Sequence, residues 1–232
     1  MALILFDLDG TLIDSEIGIT RSMQHALRAL DVEPPSQEIL RSWIGPPLHA
    51  SFPTVLGDDD ARVDLAVDHY RERFNEIGWS EHSVYPDIAD LIARLAAHGN
   101  QLAVVTSKIE DQARRIVDNL PFGHHFDAIY GPAMGVRASE KAALVARALS
   151  ELDGSPDSTV MIGDRRFDIE GARANGVYSI GVLWGFGGLD ELCEAGADSI
   201  AMAPSDLEKC LEGCLRGYAD RADVFLVSPT NE

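Results

Sequence analysis

Cysteine is scarce in this sequence, and the few cysteines do not form a framework. Cys193, Cys210 and Cys214 all lie within the last 40 of the 232 residues. An odd number without regular spacing indicates a reducing compartment rather than a disulfide scaffold. Cys210 and Cys214 are four residues apart on a predicted helix, where they would either hold a metal ion or pack as small apolar side chains. We therefore expect a cytoplasmic protein.

Long apolar runs and basic residues are also lacking. No segment approaches the ~20 apolar residues of a transmembrane helix, and no basic leader with a cleavage site is present, so neither a membrane partner nor secretion is expected. With 19 basic and 38 acidic residues the formal net charge is −19, which repels nucleic acid. A phosphorylated ligand would need local positive potential from a metal ion, a lysine or a helix N-terminus.

Hydrophobic periodicity changes along the chain. Residues 15–82 contain two long helical stripes and a shorter helix capped by Ser36, with breaks at Pro34-Pro35 and at Gly45-Pro46-Pro47. Short apolar strands lie on either side of this segment, one at residues 3–6 and others that alternate with helices from residue 83 onward. The predicted later strands are 102–106, 126–130, 159–163, 178–183 and 199–202.

Short strands that alternate with helices are typical of a parallel sheet covered on both faces. We therefore predict an α/β protein with a Rossmann-like, doubly wound parallel sheet built from residues 1–14 and 83–232. Residues 15–82 would form an all-helical domain inserted between the first strand and the rest of the sheet.

Polar residues stand where the predicted strands end, which is where ligands bind in open parallel sheets. Two acids separated by one residue follow the first strand, hydroxyl groups and a lysine follow the second, and two further acids follow the strand at 159–163. Another lysine lies at a helix predicted to begin around Ser139. The candidates are Asp7, Asp9, Thr106, Ser107, Lys108, Lys141, Asp164 and Asp168.

The chemistry of these side chains suits phosphate transfer. Asp7 and Asp9 project to the same side, ~6.6 Å apart, and can address one reacting centre. Clustered acids repel one another unless a cation is present, and Mg²⁺ takes carboxylate and phosphate oxygens as ligands. Lys141 adds a positive charge for phosphate oxygens, and Thr106 adds a hydrogen-bond donor. The sequence thus predicts Mg²⁺ as cofactor and a small phosphorylated metabolite as substrate.

These residues resemble the four motifs of the haloacid-dehalogenase-like phosphatases. The matching segments are residues 7–15, residues 104–107, Lys141 and residues 163–168. Residues 181–185 resemble a segment of the phosphoglycolate-phosphatase-like branch. Residues 44–48, with Ser51-Phe52 just after, resemble a subgroup similar to phosphoglycolate phosphatases that includes 5′-nucleotidases. The helical insertion is placed as the cap domain is in that branch, and the resemblance extends over nearly the whole chain.

The resemblance implies a role for each candidate. Asp7 would attack phosphorus and form an aspartyl-phosphate, while Asp9 protonates the leaving oxygen and then activates water. Because the dehalogenases lack the second acid, Asp9 favours phosphoryl chemistry. Thr106, the Ser107 amide and Lys141 would bind the phosphoryl oxygens. The implied Mg²⁺ ligands are Asp7, the backbone carbonyl of Asp9 and Asp164. Asp168 would support the site through water or Lys141.

Selection of the leaving group is expected in the cap. Gly45 and Pro46, in the segment 44–48, are candidate substrate-binding residues. Alternatively, the turn Gly45-Pro46-Pro47 only joins one helix to the next, and both interpretations can hold. Four basic residues either border the mouth of the site or belong to the solvated surface, and the second interpretation is the default for each of them. They are Lys108, Arg137, Arg165 and Arg166.

Other functions use similar parts. A phosphonatase needs a Schiff-base lysine in the cap, and residues 15–82 contain no lysine, which excludes it. A receiver-like phospho-signalling domain is shorter and lacks the insertion. A sugar-phosphate mutase stays open, although no matching motif is present. Phosphoglycolate and nucleoside 5′-monophosphates are the expected substrates, and a monomer and a homodimer are both compatible with the sequence. The arginines that could serve a mutase are Arg21, Arg41, Arg62, Arg71 and Arg73.

Overall fold

A six-stranded parallel sheet lies at the centre of the protein. The structure is a computed structural model that describes residues 2–135 and 140–212. The strands are β1 (Leu3–Phe6), β2 (Ile13–Asp14), β3 (Ser83–Val84), β4 (Gln101–Val105), β5 (Ala128–Tyr130), β6 (Thr159–Gly163), β7 (Tyr178–Val182) and β8 (Ser199–Ala201). The large sheet has the order β5-β4-β1-β6-β7-β8, and every pairing in it is parallel. This arrangement confirms the predicted α/β, Rossmann-like fold class.

Helices cover the sheet and fill the long segment between β2 and β3. They are α1 (Glu16–Ala29), α2 (Gln37–Ser42), α3 (Leu48–Ser51), α4 (Pro53–Leu56), α5 (Asp60–Glu76), α6 (Ile88–Ala97), α7 (Glu110–Val117), α8 (Lys141–Glu151), α9 (Arg166–Ala174) and α10 (Leu189–Ala195). Residues 207–212 are also helical. Short 3₁₀ turns lie at Gly78–Ser80, Gly123–His125, Pro156–Ser158 and Pro204–Asp206. Within the described ranges, no helix combines the length and the apolar character that crossing a membrane requires.

The side chains of the central strand alternate between two hydrophobic cores. Ile4 and Phe6 pack on one face of the sheet, in the same core as the buried side of α6. Leu3 and Leu5 pack on the other face with the buried side of α8. Successive side chains of a strand point to opposite faces, so a strand covered on both faces must be apolar throughout. All four residues of β1 are buried.

Residues 15–82, here called the insert, are built around the contact between α1 and α5. The two predicted helical stripes supply the buried side chains of these helices, so the periodicity of the sequence corresponds to their contact face. Ile77, which the second stripe included, is instead half exposed just beyond the end of α5. The buried residues include Ile19, Met23, Ala26 and Leu27 of α1 and Val63, Val67, Tyr70 and Phe74 of α5.

A short antiparallel pair joins the two ends of the insert. In this pair β2 lies beside β3, with Ile13 opposite Val84 and Asp14 opposite Ser83. The sequence did not predict it, since strands of two residues are too short to show a periodicity. The pair stands at the proposed boundaries of the inserted domain, and the division into two domains stays a prediction.

Several predicted bounds differ from the observed ones by one or two residues. The strand expected at 126–130 is confined to Ala128–Tyr130, and the helix expected around Ser139 begins at Lys141. Ser139 itself lies outside the described residues. Cys210 is half-buried, with Sγ 3.9 Å from the Ile200 carbonyl oxygen, and burial raises the pKa of its thiol. Its predicted neighbour Cys214 also lies outside the described residues.

Replacing Ile4 by alanine tests the contribution of the central strand. The Ile4 side chain is fully buried, so truncation loses apolar contact and leaves a cavity, and the free energy of unfolding should fall by about 2–5 kcal/mol in urea denaturation. As a control, Ile17→Ala removes the same atoms from a residue that is 55% exposed. The control should change the free energy by less than about 0.5 kcal/mol. Equal losses in the two variants would contradict the assigned core.

Candidate active site

Buried polar residues follow the carboxyl ends of three neighbouring strands. Asp7 follows β1, Thr106 follows β4 and Asp164 follows β6. Because β1 pairs in parallel with β4 on one side and with β6 on the other, the three ends lie side by side. Lys141, at the first residue of α8, and Asp168, in the first turn of α9, complete the group. All five residues are buried, so the structure brings together five of the predicted site residues.

Lys141 is the cation at the centre of this group. Its Nζ lies 2.8 Å from Asp7 Oδ1 and 2.7 Å from Asp168 Oδ1, and it donates to the carbonyl oxygen of Val105 at 2.9 Å. Burial lowers the pKa of Lys141, but attraction to Asp168 and Asp7 outweighs burial and raises the pKa above its ordinary value. The charged lysine therefore orients both carboxylates.

Asp7, Asp164 and Asp168 form a cluster of carboxylates in which one oxygen from each lies within 4.8 Å of the others. Burial raises the pKa of Asp7 to about 7, a rise that Lys141 opposes and that the Asp168 and Asp9 carboxylates increase. Burial, followed by the charges of Asp7 and Asp168, also raises the pKa of Asp164. A divalent cation with oxygen ligands would relieve this repulsion. The donor set therefore fits the predicted Mg²⁺.

The carboxylate of Asp9 lies outside that cluster and has its own partner. Asp9 Oδ2 lies 3.1 Å from Lys108 Nζ, whereas Oδ1 is buried and has no hydrogen-bond partner in the described part of the chain. The Lys108 ammonium also lies 4.4 Å from the ring centroid of Phe74 in α5. The default interpretation of Lys108 as a solvated surface residue is wrong, since its side chain is only 6% exposed. The predicted contact of the Asp9 backbone carbonyl with Mg²⁺ stays a prediction.

The segment after β7 holds Asp164 through a backbone hydrogen bond. The backbone N–H of Phe186 donates to Asp164 Oδ2 at 2.7 Å. Gly10 approaches the same oxygen so closely that a Cβ at this position would lie 2.2 Å from it, and Gly10 has a φ of +84°. Glycine is therefore required at position 10, both for space and for backbone conformation. The resemblance at residues 181–185 was the sequence signal that pointed to this segment.

A pocket opens above the carboxylates, lined jointly by the sheet edge and the insert. Asp7, Asp9, Thr106, Ser107 and Lys141 line it from the sheet side, where Ser107 is exposed. The predicted Gly45 and Pro46 lie on the opposite side of the pocket, so the turn at 45–47 is part of its lining as well as a connection between helices. Neighbouring residues of that side, which the sequence did not predict as site residues, include Met23, Trp43 and Tyr70.

Arg41 ties the insert to the sheet. Its guanidinium donates from Nη2 to the carbonyl oxygen of Gly185 at 3.0 Å and lies 4.9 Å from the ring centroid of Phe186. Arg41 also pairs with Glu16 of α1. The N–H of Phe186 binds Asp164, so the contact that Arg41 of the insert makes with Phe186 lies next to the carboxylate cluster.

Arg165 makes the reciprocal contact from the sheet to the insert. It donates from Nη1 to the carbonyl oxygen of Ile44, and its Nε lies 2.9 Å from Glu191 Oε1. A Cβ at Gly45, where φ is +107°, would lie 2.9 Å from Arg165 Nη1. The default of solvated surface is thus wrong for Arg165, whose side chain is 13% exposed, but holds for Arg166 at 55%. Arg137 lies outside the described residues.

Comparison with known proteins agrees with this geometry. The family model for haloacid dehalogenase-like hydrolases matches residues 4–182. A 5′-nucleotidase of Pseudomonas aeruginosa is 44% identical over 82% of this chain and 86% of its own length. A phosphoglycolate phosphatase of Aquifex aeolicus is 31% identical over 91% of this chain and 97% of its own length. The crystal structure of a predicted phosphatase from Clostridium acetobutylicum has a TM-score of 0.86 at 37% identity, covering 91% of this chain and 98% of that one.

The chain therefore belongs to the haloacid dehalogenase-like hydrolase family. Within this family it is a phosphoric monoester hydrolase that acts on small phosphate substrates, and it resembles the 5′-nucleotidases and phosphoglycolate phosphatases. The predicted family is thereby confirmed, and a receiver-like signalling domain is not favoured.

Removing the Lys141 charge should destabilise the site and stop catalysis. Lys141→Met leaves the buried carboxylates of Asp7 and Asp168 without their counter-charge, so the free energy of unfolding in chelator-treated protein should fall by about 3–5 kcal/mol. Urea denaturation measures the loss. Lys209→Met, at an exposed lysine, is the control and should lie within about 0.5 kcal/mol of the wild type. A Lys141→Met variant as stable as the control would contradict the assigned ion pairs.

Removing Arg41 should weaken the connection between insert and sheet. Arg41→Ala loses the contacts with Gly185 and Phe186, so kcat/KM for p-nitrophenyl phosphate should fall by roughly 10-fold, equivalent to ~1.4 kcal/mol. Initial rates measured against substrate concentration test this. Arg62→Ala removes an exposed arginine of the same insert and should leave the rate unchanged. Unchanged kinetics in Arg41→Ala would show that this contact does not support catalysis.

Proposed function

We propose that the protein is a Mg²⁺-dependent phosphatase that hydrolyses nucleoside 5′-monophosphates through an aspartyl-phosphate on Asp7, with residues 15–82 acting as its cap domain. The observation that carries the proposal is the position of Asp7, Asp9 and Lys141 beneath a pocket whose opposite side is mostly aromatic and apolar. The similarity to a 5′-nucleotidase supports the same substrate class.

In the first step, the Asp7 carboxylate attacks phosphorus and the bond from phosphorus to the leaving oxygen breaks. Lys141 keeps Asp7 in place through the 2.8 Å ion pair. Asp9 donates a proton to the leaving oxygen, and its Oδ1, which has no hydrogen-bond partner among the described residues, is the atom suited to this transfer. In the second step, Asp9 takes a proton from water as the water attacks the phosphorus, which releases inorganic phosphate and restores Asp7.

Phosphoryl oxygens would be bound at the end of β4. The Thr106 hydroxyl oxygen accepts a hydrogen bond from the Lys108 N–H at 3.2 Å, so the hydroxyl proton is available for donation to a phosphoryl oxygen. The Ser107 amide and Lys141 supply further donors. The donors all lie on the sheet side of the pocket, which favours a substrate pose with the leaving group toward the cap.

Asp7, the Asp9 carbonyl and Asp164 would hold Mg²⁺, and Asp168 would support the site through its ion pair with Lys141. When bound, the metal ion supplies positive charge that offsets the charge of the phosphate oxygens in the transition state. The raised pKa values of Asp7 and Asp164 are in keeping with such a cation, because both carboxylates are buried among other acids.

The cap side of the pocket favours a nucleoside as leaving group. Trp43 and Tyr70 place aromatic side chains there, with Met23 and Val67 beside them. Burial, and after it the charge of Asp9, raises the pKa of Tyr70, so its hydroxyl stays neutral and can donate a hydrogen bond. A nucleoside would cover this apolar surface, whereas glycolate is too small to reach across it. Aromatic side chains stack readily on nucleobases.

The experiment is a panel of initial rates with Mg²⁺, comparing nucleoside 5′-monophosphates, phosphoglycolate, hexose phosphates and p-nitrophenyl phosphate. We expect a preference of about 100-fold in kcat/KM for a nucleotide, equivalent to ~2.7 kcal/mol. Trp43→Ala should reduce this preference, with p-nitrophenyl phosphate as the internal reference. Preference for phosphoglycolate would overturn the substrate assignment without affecting the reaction class.

Two further measurements test the mechanism itself. Asp7→Asn should abolish turnover while circular dichroism shows an intact fold, and turnover retained in that variant would rule out Asp7 as nucleophile. Chelation with EDTA should stop the wild-type reaction, and re-addition of Mg²⁺ should restore it. A rate unaffected by EDTA would refute the metal assignment alone.

A further inference from the structure

A second group of metal-ligating side chains lies on the insert, away from the pocket. His25 of α1 and His69 and Glu72 of α5 each offer one ligand atom, and these three atoms lie within 4.8 Å of one another. Residues 2–135 and 140–212 contain two such groups, this one and the cluster of Asp7, Asp164 and Asp168. None of the three lines the pocket that contains Asp7.

The geometry of the group suits a tetrahedral ion. His69 and Glu72 are three residues apart and share one face of α5, and His69 Nδ1 lies 3.4 Å from Glu72 Oε2. This separation is long for a hydrogen bond, but it matches the edge of a tetrahedron with metal–ligand bonds of about 2.0–2.1 Å. The ring of His25 meets that of His69 edge to face, with centroids 6.4 Å apart. Small side-chain rotations would bring all three ligand atoms onto one ion.

Neighbouring charges do not oppose a cation as strongly as their number suggests. Arg21 and Arg73 border the same surface but are both bound to Glu81, at 2.8 Å and 2.9 Å. Glu76 lines a surface groove together with His25 and Glu72 and adds a negative charge that favours a cation. Arg28, which is exposed, is screened by solvent.

We propose that His25, His69 and Glu72 form a second metal site, which binds a transition-metal ion of the Zn²⁺ type. Two imidazoles and one carboxylate are a donor set of zinc sites, whereas Mg²⁺ prefers oxygen ligands alone. A bound ion joins α1 to α5. Because these helices also carry Met23 and Tyr70, the ion holds together two helices that line the cap side of the pocket.

Calorimetric titration with Zn²⁺ in excess Mg²⁺ tests the proposal on four proteins: the wild type, His25→Ala, His69→Ala and the control His98→Ala. His98 is exposed and lies outside the cluster. We expect about one Zn²⁺ per chain in the wild type and the control. Affinity should fall by at least ~10-fold in His25→Ala and His69→Ala, since each loses one of three protein ligands.

Thermal unfolding gives an independent readout. Zn²⁺ should raise the melting temperature of the wild type and of His98→Ala by a few °C through its binding to the folded state, and should not raise that of His25→Ala. Glu72→Gln, which keeps the size of the side chain, should weaken Zn²⁺ binding in the same way. The proposal is overturned if the wild type binds no Zn²⁺, or if the isotherms of all variants are alike because the ion binds only among the aspartates.

Discussion

The buried ion pairs of Lys141 with Asp7 and Asp168 are the constraint on which the rest of the site depends. They hold carboxylates from β1 and α9 at one point, although burial and mutual repulsion both act against that arrangement. The backbone must come close to make this possible, since a Cβ at Gly171 would lie 2.9 Å from Lys141 Cγ. The core on both faces of the sheet keeps β1 rigid and so fixes the backbone position from which the Asp7 side chain extends. A rigid sheet is what allows a reactive group to be positioned to within fractions of an ångström.

Contacts between insert and sheet reach the carboxylates of the site from two directions. Lys108 lies between Asp9 and the Phe74 ring of α5. A displacement of α5 would therefore remove the aromatic partner of the Lys108 ammonium, which is the group that pairs with Asp9. Arg41 binds the carbonyl of Gly185, next to the residue whose N–H holds Asp164. The position of the insert and the shape of the carboxylate group are therefore physically linked, so a movement of the insert would disturb the carboxylates.

The sequence predicted the parts of the site that follow from strand ends, but it did not predict the partners of Lys108 and Arg165, whose long side chains contact other elements. Asp7, Thr106 and Asp164 were located because strands of a parallel sheet end at one edge. The ion pair of Lys108 and the contact of Arg165 with Ile44 depend on how the insert packs, which no local pattern shows. The short helices α3 and α4 and the two-residue strands were missed because they span too few residues for a period to appear. The helical stripes of α1 and α5 were found because they are long.

Charge at the site explains why a strongly acidic protein can bind a phosphate ester. The chain has three lysines, and two of them, Lys108 and Lys141, are placed against the acids of the site. With both lysines charged and all the carboxylates of the site ionised, the group carries a net charge of −2, which one divalent cation neutralises. These carboxylates are Asp7, Asp9, Asp164 and Asp168. A compact ammonium can contact several oxygens in a confined space, where the wide guanidinium of arginine fits less well. Without the cation, burial and after it the same repulsion favour protonation, which is why the pKa values of Asp7 and Asp164 are raised.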